Sequence, residues 1–275
     1  MDPRLDCAVT ATNTPSFNKS IGVFDSGVGG LSVLDALRRR MPLASLRYVG
    51  DVAHAPYGER AVDDIVARTH RIVEHLVASG TRIIVVACNT ATVLGIASLR
   101  ERWPDVTFIG VEPGVKPAAA LTRSGRIAIM TTSATARSSR LRHLIAAHAA
   151  RVQVHIEACP DLAGAIESSG RDDNVIRDVL VPHIANLRAA DVDTVALGCT
   201  HYPFVAQMLQ AMLGPQVTLV DTSGAVAERV AFIAGDSFDG AAELHVATTG
   251  SAAVMSAILL RCAHLERVPI ARVSI

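Results

Sequence analysis

Two cysteines differ from the rest of the chain in what surrounds them. Cys88 ends the run "RIIVVAC" and is followed by Asn89 and Thr90; Cys199 ends "DTVALGC" and is followed by Thr200 and His201. A lone buried cysteine is ordinarily a small core residue, and Cys7, Cys159 and Cys262 are read that way. Cys88 and Cys199 instead sit where an apolar run meets hydrogen-bonding groups. A neighbouring imidazole or positive dipole can bring a thiol down from about 8.5 toward neutrality. A protease-like nucleophile would need one thiol and one base. Two equivalent thiols suit another task, moving a proton from one face of a carbon to the other.

Such residues need rigid elements behind them. From residue 21 onward, short β-branched runs alternate with longer helical patterns. Strands are expected at 21–24, 46–49, 83–87, 107–111, 127–130, 152–156, 194–197, 217–220 and 244–247. Helices are expected at 31–40, 62–79, 175–190 and 204–213. This alternation reads as an α/β architecture with parallel sheets flanked by helices. The strands outnumber the usual sheet of about five or six, so two sheets, hence two domains, are expected. Both cysteines follow a strand, where open α/β sheets place ligand-binding residues. A second echo, "GVFDSG" (22–27) against "LVDTSG" (219–224), also suggests two similar halves sharing one cleft.

Other chemistries find little support. The segment "DSGVGGLSV" (25–33) fits neither G-x-G-x-x-G nor the Walker A pattern. Its amides could still hold a carboxylate; a tight strand-to-helix turn is the simpler reading, with Asp25 as cap of the following helix. No C-x-x-C or H-E-x-x-H occurs, so no metal site is expected. The only lysines are Lys19 and Lys116, which argues against a pyridoxal Schiff base. The formal net charge is +0, against nucleic acid as the main partner and against a polybasic membrane anchor. No apolar run reaches the length of a membrane span. Residues 1–20 read as a flexible polar tail without the apolar region of a signal peptide. Five widely spaced cysteines suit a reducing cytoplasm.

The segments "IGVFDSGVGGLSVL", "HAPYGER", "VVACNTATVLGI", "GVEPGVKPA" and "LGCTHYPF", in this order, resemble bacterial glutamate racemase, of the aspartate/glutamate racemase superfamily. The resemblance runs from about residue 21 to 223. It implies two pseudo-symmetric α/β domains, 21–104 with 217–275 and 105–216, with the active site in the cleft between them. It implies cofactor-independent interconversion of L- and D-glutamate, supplying D-glutamate for peptidoglycan, in a cytoplasmic homodimer. The paired catalytic cysteines fall on Cys88 and Cys199, assisted by Asp25, His201 and Glu167. Substrate contacts fall on Asp25, Ser26, Pro56, Tyr57, Gly58, Asn89, Thr90, Thr132, Thr135, Thr200 and His201. Alternatives are a racemase for aspartate or another amino acid, a related thiol-dependent decarboxylase, or a regulatory binding protein on the same scaffold. Leu141 stands where the family usually has an aromatic residue, and 158–166 is poor in large side chains, which puts local packing near the second cysteine in question.

The resemblance, with the missing ligand clusters and lysine, predicts turnover without added metal or pyridoxal phosphate. Activity lost to a chelator and restored by one particular metal ion would contradict this.

Overall fold

The computed structural model describes residues 20–168, 172–235, 241–265 and 267–275. The tail expected over 1–20 lies outside them, except for Ser20, which opens the first strand. So do Cys7 and Lys19.

The strands are β1 (Ser20–Asp25), β2 (Ser45–Gly50), β3 (Ile83–Val86), β4 (Thr107–Gly110), β5 (Arg126–Thr131), β6 (Gln153–Ala158), β7 (Thr194–Gly198), β8 (Thr218–Val220), β9 (Leu244–Thr248) and β10 (Ile270–Arg272). The helices are α1 (Leu31–Arg40), α2 (Val62–Ala78), α3 (Asn89–Arg102), α4 (Val115–Leu121), α5 (Ser133–Arg137), α6 (Ser139–His148), α7 (Leu162–Ser168), α8 (Asp173–Ala189), α9 (Ala206–Leu213), α10 (Ser223–Ala234) and α11 (Ala252–Leu259). All nine expected strands form. Strand β10 was not expected: its "IAR" has one β-branched residue and no alternation to read.

The strands make two sheets, ordered β10-β9-β2-β1-β3-β4 and β6-β5-β7-β8. Every pairing is parallel. Parallel sheets bury both faces, so their strands read as continuous apolar runs. In β1, Ile21 and Val23 point into one core cluster with α1 and α10, while Phe24 joins α2 and α3 on the other face. In β5, Ala128 and Met130 face one cluster, Ile127 and Ile129 the other. The period-2 alternation of strand side chains thus supplies a core on each side of each sheet.

Within the first sheet, β2-β1-β3-β4 has the same order as β6-β5-β7-β8 in the second. The halves therefore repeat strand for strand, β1 with β5 and β3 with β7. Cys88 and Cys199 each follow the third strand of their repeat, as the cysteine echo suggested. The second echo does not correspond to this symmetry. "GVFDSG" ends the first strand of one repeat and "LVDTSG" the fourth strand of the other. Their likeness is local: Asp25 accepts from the Gly27 amide at 2.9 Å and Asp221 from the Ser223 amide at 3.0 Å, the same short turn twice. The expected boundaries at 105 and 217 also fall a strand too early. Strand β4 pairs with β3 in the first sheet and β8 with β7 in the second. The chain therefore passes between lobes after each of those strands, because a fourth strand needs its neighbour's backbone to complete a ladder.

Leu141, where an aromatic residue was expected, is buried among Val115, Ala118, Ile127 and Ile129 in the second-lobe core. In 158–166, Leu162, Ala163 and Ile166 fill the cluster under β7.

The second-lobe edge strand is fastened by one carboxylate. Glu157 of β6 accepts hydrogen bonds from His155 (2.7 Å) and from His183 and Asn186 of α8 (2.6 and 3.1 Å). Burial alone would raise its pKa, but these donors outweigh it and hold the carboxyl below its ordinary 4.5. A carboxylate depressed in the folded state adds stability above its unfolded pKa and loses it as pH falls through the folded value. Glu157→Gln is therefore expected to cost on the order of 2 kcal/mol at pH 7 and to flatten the loss of stability on acidification. Thermal unfolding of both proteins from pH 7 to pH 3 reads this; parallel curves would contradict it.

Candidate active site

The site gathers where the C-terminal ends of β1 and β3 meet those of β5 and β7, the usual place for ligands in open α/β sheets. Asp25 ends β1 and is fully buried. It does not cap α1: that helix begins at Leu31, with Gly30 as its N-cap and no side-chain cap bond. Its carboxylate accepts from the Gly27 amide and, across the lobe interface, from the Thr200 hydroxyl at 3.0 Å. Burial pushes the Asp25 carboxyl above its usual 3.8; the His201 charge and these two bonds offset this only in part.

The glycines of "DSGVGG" are required by close approach. A Cβ on Gly29 would meet Thr200 Oγ1 at 2.5 Å and collide with His201 Nδ1; one on Gly30 would lie 2.5 Å from Asp25 Cβ. A Cβ on Gly27 would fall on Glu167 Oε1. The loop amides do hold a carboxylate, and it is the protein's own: Val28 N donates to Glu167 Oε1 at 3.0 Å.

Cys88 is the N-cap of α3, its sulfur accepting from the Ala91 amide at 3.4 Å. Burial first, then the Asp25 charge, push its thiol up to about 12, despite hydrogen bonds from Ser26 and Ala91. Cys88 therefore holds its proton at neutral pH. The next residue, Asn89, donates from Nδ2 to Val111 O at 3.2 Å. Its Oδ1 is buried without a partner among the described residues.

Cys199 has different company. Its sulfur lies 3.7 Å from His201 Nδ1, and His201 Nε2 lies 2.7 Å from Glu167 Oε1 on α7. Burial disfavours charge on this imidazole, but its hydrogen bonds to Cys199 and Glu167 prevail and hold its pKa well above the usual 6.5. Ser32 of α1 adds a further tie between lobes, donating to Thr200 O at 3.1 Å.

The remaining expected residues form a hydroxyl cluster. Thr90 of α3 lies 2.9 Å from Thr132 and 3.4 Å from Thr135 through their side-chain oxygens. Thr132 caps α5. Gly58 presses on it, since a Cβ there would lie 2.8 Å from Thr132 Cβ. Pro56 precedes this contact through a cis peptide bond. Tyr57 does not send its hydroxyl into the cluster: it donates to Asp51 at 2.6 Å, and the ring packs on Phe24. Between Asn89, Cys199 and Thr200 the cavity is about 10 Å³, room for one water at most.

The expected residues thus come together from both lobes, with Tyr57 present through its ring and backbone. Missed in the sequence were Asp51 and Arg68, which hold Tyr57. The signal was available: Asp51 follows β2 just as Asp25 ends β1. Among the described residues no group of three or more His, Cys, Asp or Glu is placed to hold a metal ion.

Fold and site together define a two-lobed α/β protein in which a cysteine follows the third strand of each lobe. The chain belongs to the Asp/Glu/hydantoin racemase family, which matches residues 31–230. It is 43% identical over 225 residues to a glutamate racemase of Pseudomonas syringae pv. tomato, covering 82% of each chain. Among solved structures, a glutamate racemase isoform of Bacillus anthracis matches with a TM-score of 0.83 at 30% identity, covering 93% of this chain and 97% of that one. The glutamate racemase of Escherichia coli, solved with L-glutamate and the activator UDP-MurNAc-ala, matches with a TM-score of 0.77 at 30% identity, covering 88% and 94%.

Gly29→Ala should leave the protein folded and lower turnover at least about tenfold, the contribution of one positioned acid–base group, because the new methyl displaces His201 and Thr200. Wild-type kinetics in a folded Gly29→Ala protein would show that the loop does not set the imidazole.

Proposed function

We propose that this protein interconverts L- and D-glutamate by passing the α-proton between Cys88 and Cys199. One observation carries the reading: each thiol follows the third strand of its own lobe, Cys199 beside the His201–Glu167 pair and Cys88 within the field of Asp25, which Thr200 of the other lobe holds. The glutamate racemases among its relatives supply the substrate.

The α-proton of an amino acid is weakly acidic because the adjacent carboxylate is already negative. One sulfur, as thiolate, takes the proton while the C–H electron pair delocalises onto the α-carboxylate. The other sulfur, as thiol, delivers its proton to the opposite face. The two sulfurs then have exchanged protonation states, and the product enantiomer is the substrate of the reverse pass. His201, held charged by Glu167, stabilises the thiolate of Cys199. Burial pushes the Cys88 thiol up and favours its protonated form; by analogy with the family, Cys88 serves D-glutamate and Cys199 L-glutamate. Asp25 holds the substrate ammonium or assists Cys88. Asn89 Oδ1 offers a buried acceptor, whose missing partner is costly unless a ligand supplies it. Hydroxyls of Thr90, Thr132 and Thr135 donate to the carboxylates, and exclusion of water strengthens each bond, while the Thr200 hydroxyl stays with Asp25. The wider role that follows is D-glutamate supply for peptidoglycan, by a cytoplasmic homodimer.

Cys88→Ser and Cys199→Ser should each abolish racemisation, since a hydroxyl is a far weaker acid and base than a thiol near pH 7. Given a glutamate analogue that expels a leaving group once deprotonated, each variant should process one enantiomer only. Cys88→Ser should consume the L form and Cys199→Ser the D form. A shared preference, or normal racemisation by either, would overturn the two-thiol mechanism.

A further inference from the structure

A second buried polar network lies beside the thiols, centred on Asp51 at the C-terminal end of β2. Its carboxylate is fully buried. It accepts from the Tyr57 hydroxyl (2.6 Å), Arg68 Nε and Nη2 (2.9 and 2.8 Å) and the Thr249 hydroxyl (2.7 Å), with His54 Nδ1 at 3.0 Å. Arg68 also donates to Ile275 O at 2.6 Å. Burial first, then the Asp51 charge, hold the Tyr57 hydroxyl well above its usual range, so it stays a donor. The network reaches the proposed site by two routes. The Asp51 amide donates to Asp25 O at 3.0 Å, and Gly58, next to Tyr57, is seated on Thr132.

A buried ion pair is weak evidence for stability, because apolar replacements of similar size are often neutral or better. Helix α2, which carries Arg68, already packs through Ile65, Ile72, Val73 and Leu76. The segment 52–60 is different: only Tyr57 and Gly58 in it are buried. Its start is tied by Val52 on the core, by Ala53 N to Thr249 and by His54 to Asp51, and its 57–60 half by what holds Tyr57.

We infer that Asp51, clamped by Arg68, is a positioning residue: it fixes segment 52–60 so that Tyr57 and Gly58 hold the Thr132, Thr135 and Thr90 hydroxyls in their binding arrangement. This rests on the reading of the site given above. Asp51 and Arg68 act through the loop, on Thr132 and Thr135 across the lobe interface and through them on Thr90.

Steady-state racemisation and hydrogen exchange followed by mass spectrometry test it together. Tyr57→Phe removes one hydrogen bond and keeps the ring. It should raise KM about fivefold, the factor one hydrogen bond of ordinary net strength carries. With kcat within about twofold, that is the signature of lost uniform binding. Asp51→Asn should raise KM further. In both variants peptides covering 131–136 should exchange faster, while those covering 83–102 exchange as in wild type. In Asp51→Leu/Arg68→Met an apolar pair replaces the charges; thermal stability should recover while KM stays high.

A fall in kcat at constant KM, unchanged exchange at 131–136, or recovery of KM along with stability would each overturn the inference. If Asp51→Asn does not fold, Tyr57→Phe decides. If the wild-type protein does not racemise glutamate, the functional reading fails separately, and exchange at 131–136 alone decides the positioning role.

Discussion

The site depends on a reciprocal loan of carboxylates between lobes. Asp25 of the first lobe is held by Thr200 of the second, and Glu167 of the second by the Val28 amide of the first. Buried carboxylates are tolerated only when hydrogen-bonded, and each of these two takes one bond from its own lobe, Gly27 to Asp25 and His201 to Glu167, and one from the other. Closing the lobes over the site therefore assembles the charges that the proposed chemistry needs. The glycines at 27, 29 and 30 allow this closeness, because side chains there would occupy the space of Glu167, His201 and Asp25.

Topological repetition does not make the two half-sites alike. The same strand order places one thiol in each lobe, but the environments diverge. Cys88 is surrounded by burial and an acid, which keep its proton on. Cys199 lies beside an imidazole that a carboxylate keeps charged. The asymmetry lies in Asp25 beside one thiol and in His201 with Glu167 beside the other, rather than in the sheets.

The polar groups around the thiols are themselves held by a buried pair. Asp51 and Arg68 stand behind Tyr57 much as Glu167 stands behind His201. In each case a buried carboxylate orients a group that in turn meets the other lobe. Such supporting contacts fix geometry to a fraction of an ångström, which oriented proton transfer requires.

Much was written in the sequence. Apolar runs of four to six residues ending in Asp25, Cys88 and Cys199 announced the strands, with the candidate site residues at their ends, because burial on both faces of a parallel sheet demands such runs. The pattern could not tell which strands pair. Strand order is set by contacts between distant segments, so β4 and β8 were assigned to the wrong sheets. β10 had no pattern to read, since it is laid down by β9's free edge. Nor could the sequence say where Tyr57's hydroxyl points or whose carboxylate the glycine-rich loop holds. Those answers depend on Asp51 lying one strand over from Asp25, and on Glu167 arriving from 139 residues away. Residue types and local spacing determined which groups could carry protons. Packing across the two sheets alone decided which of them meet.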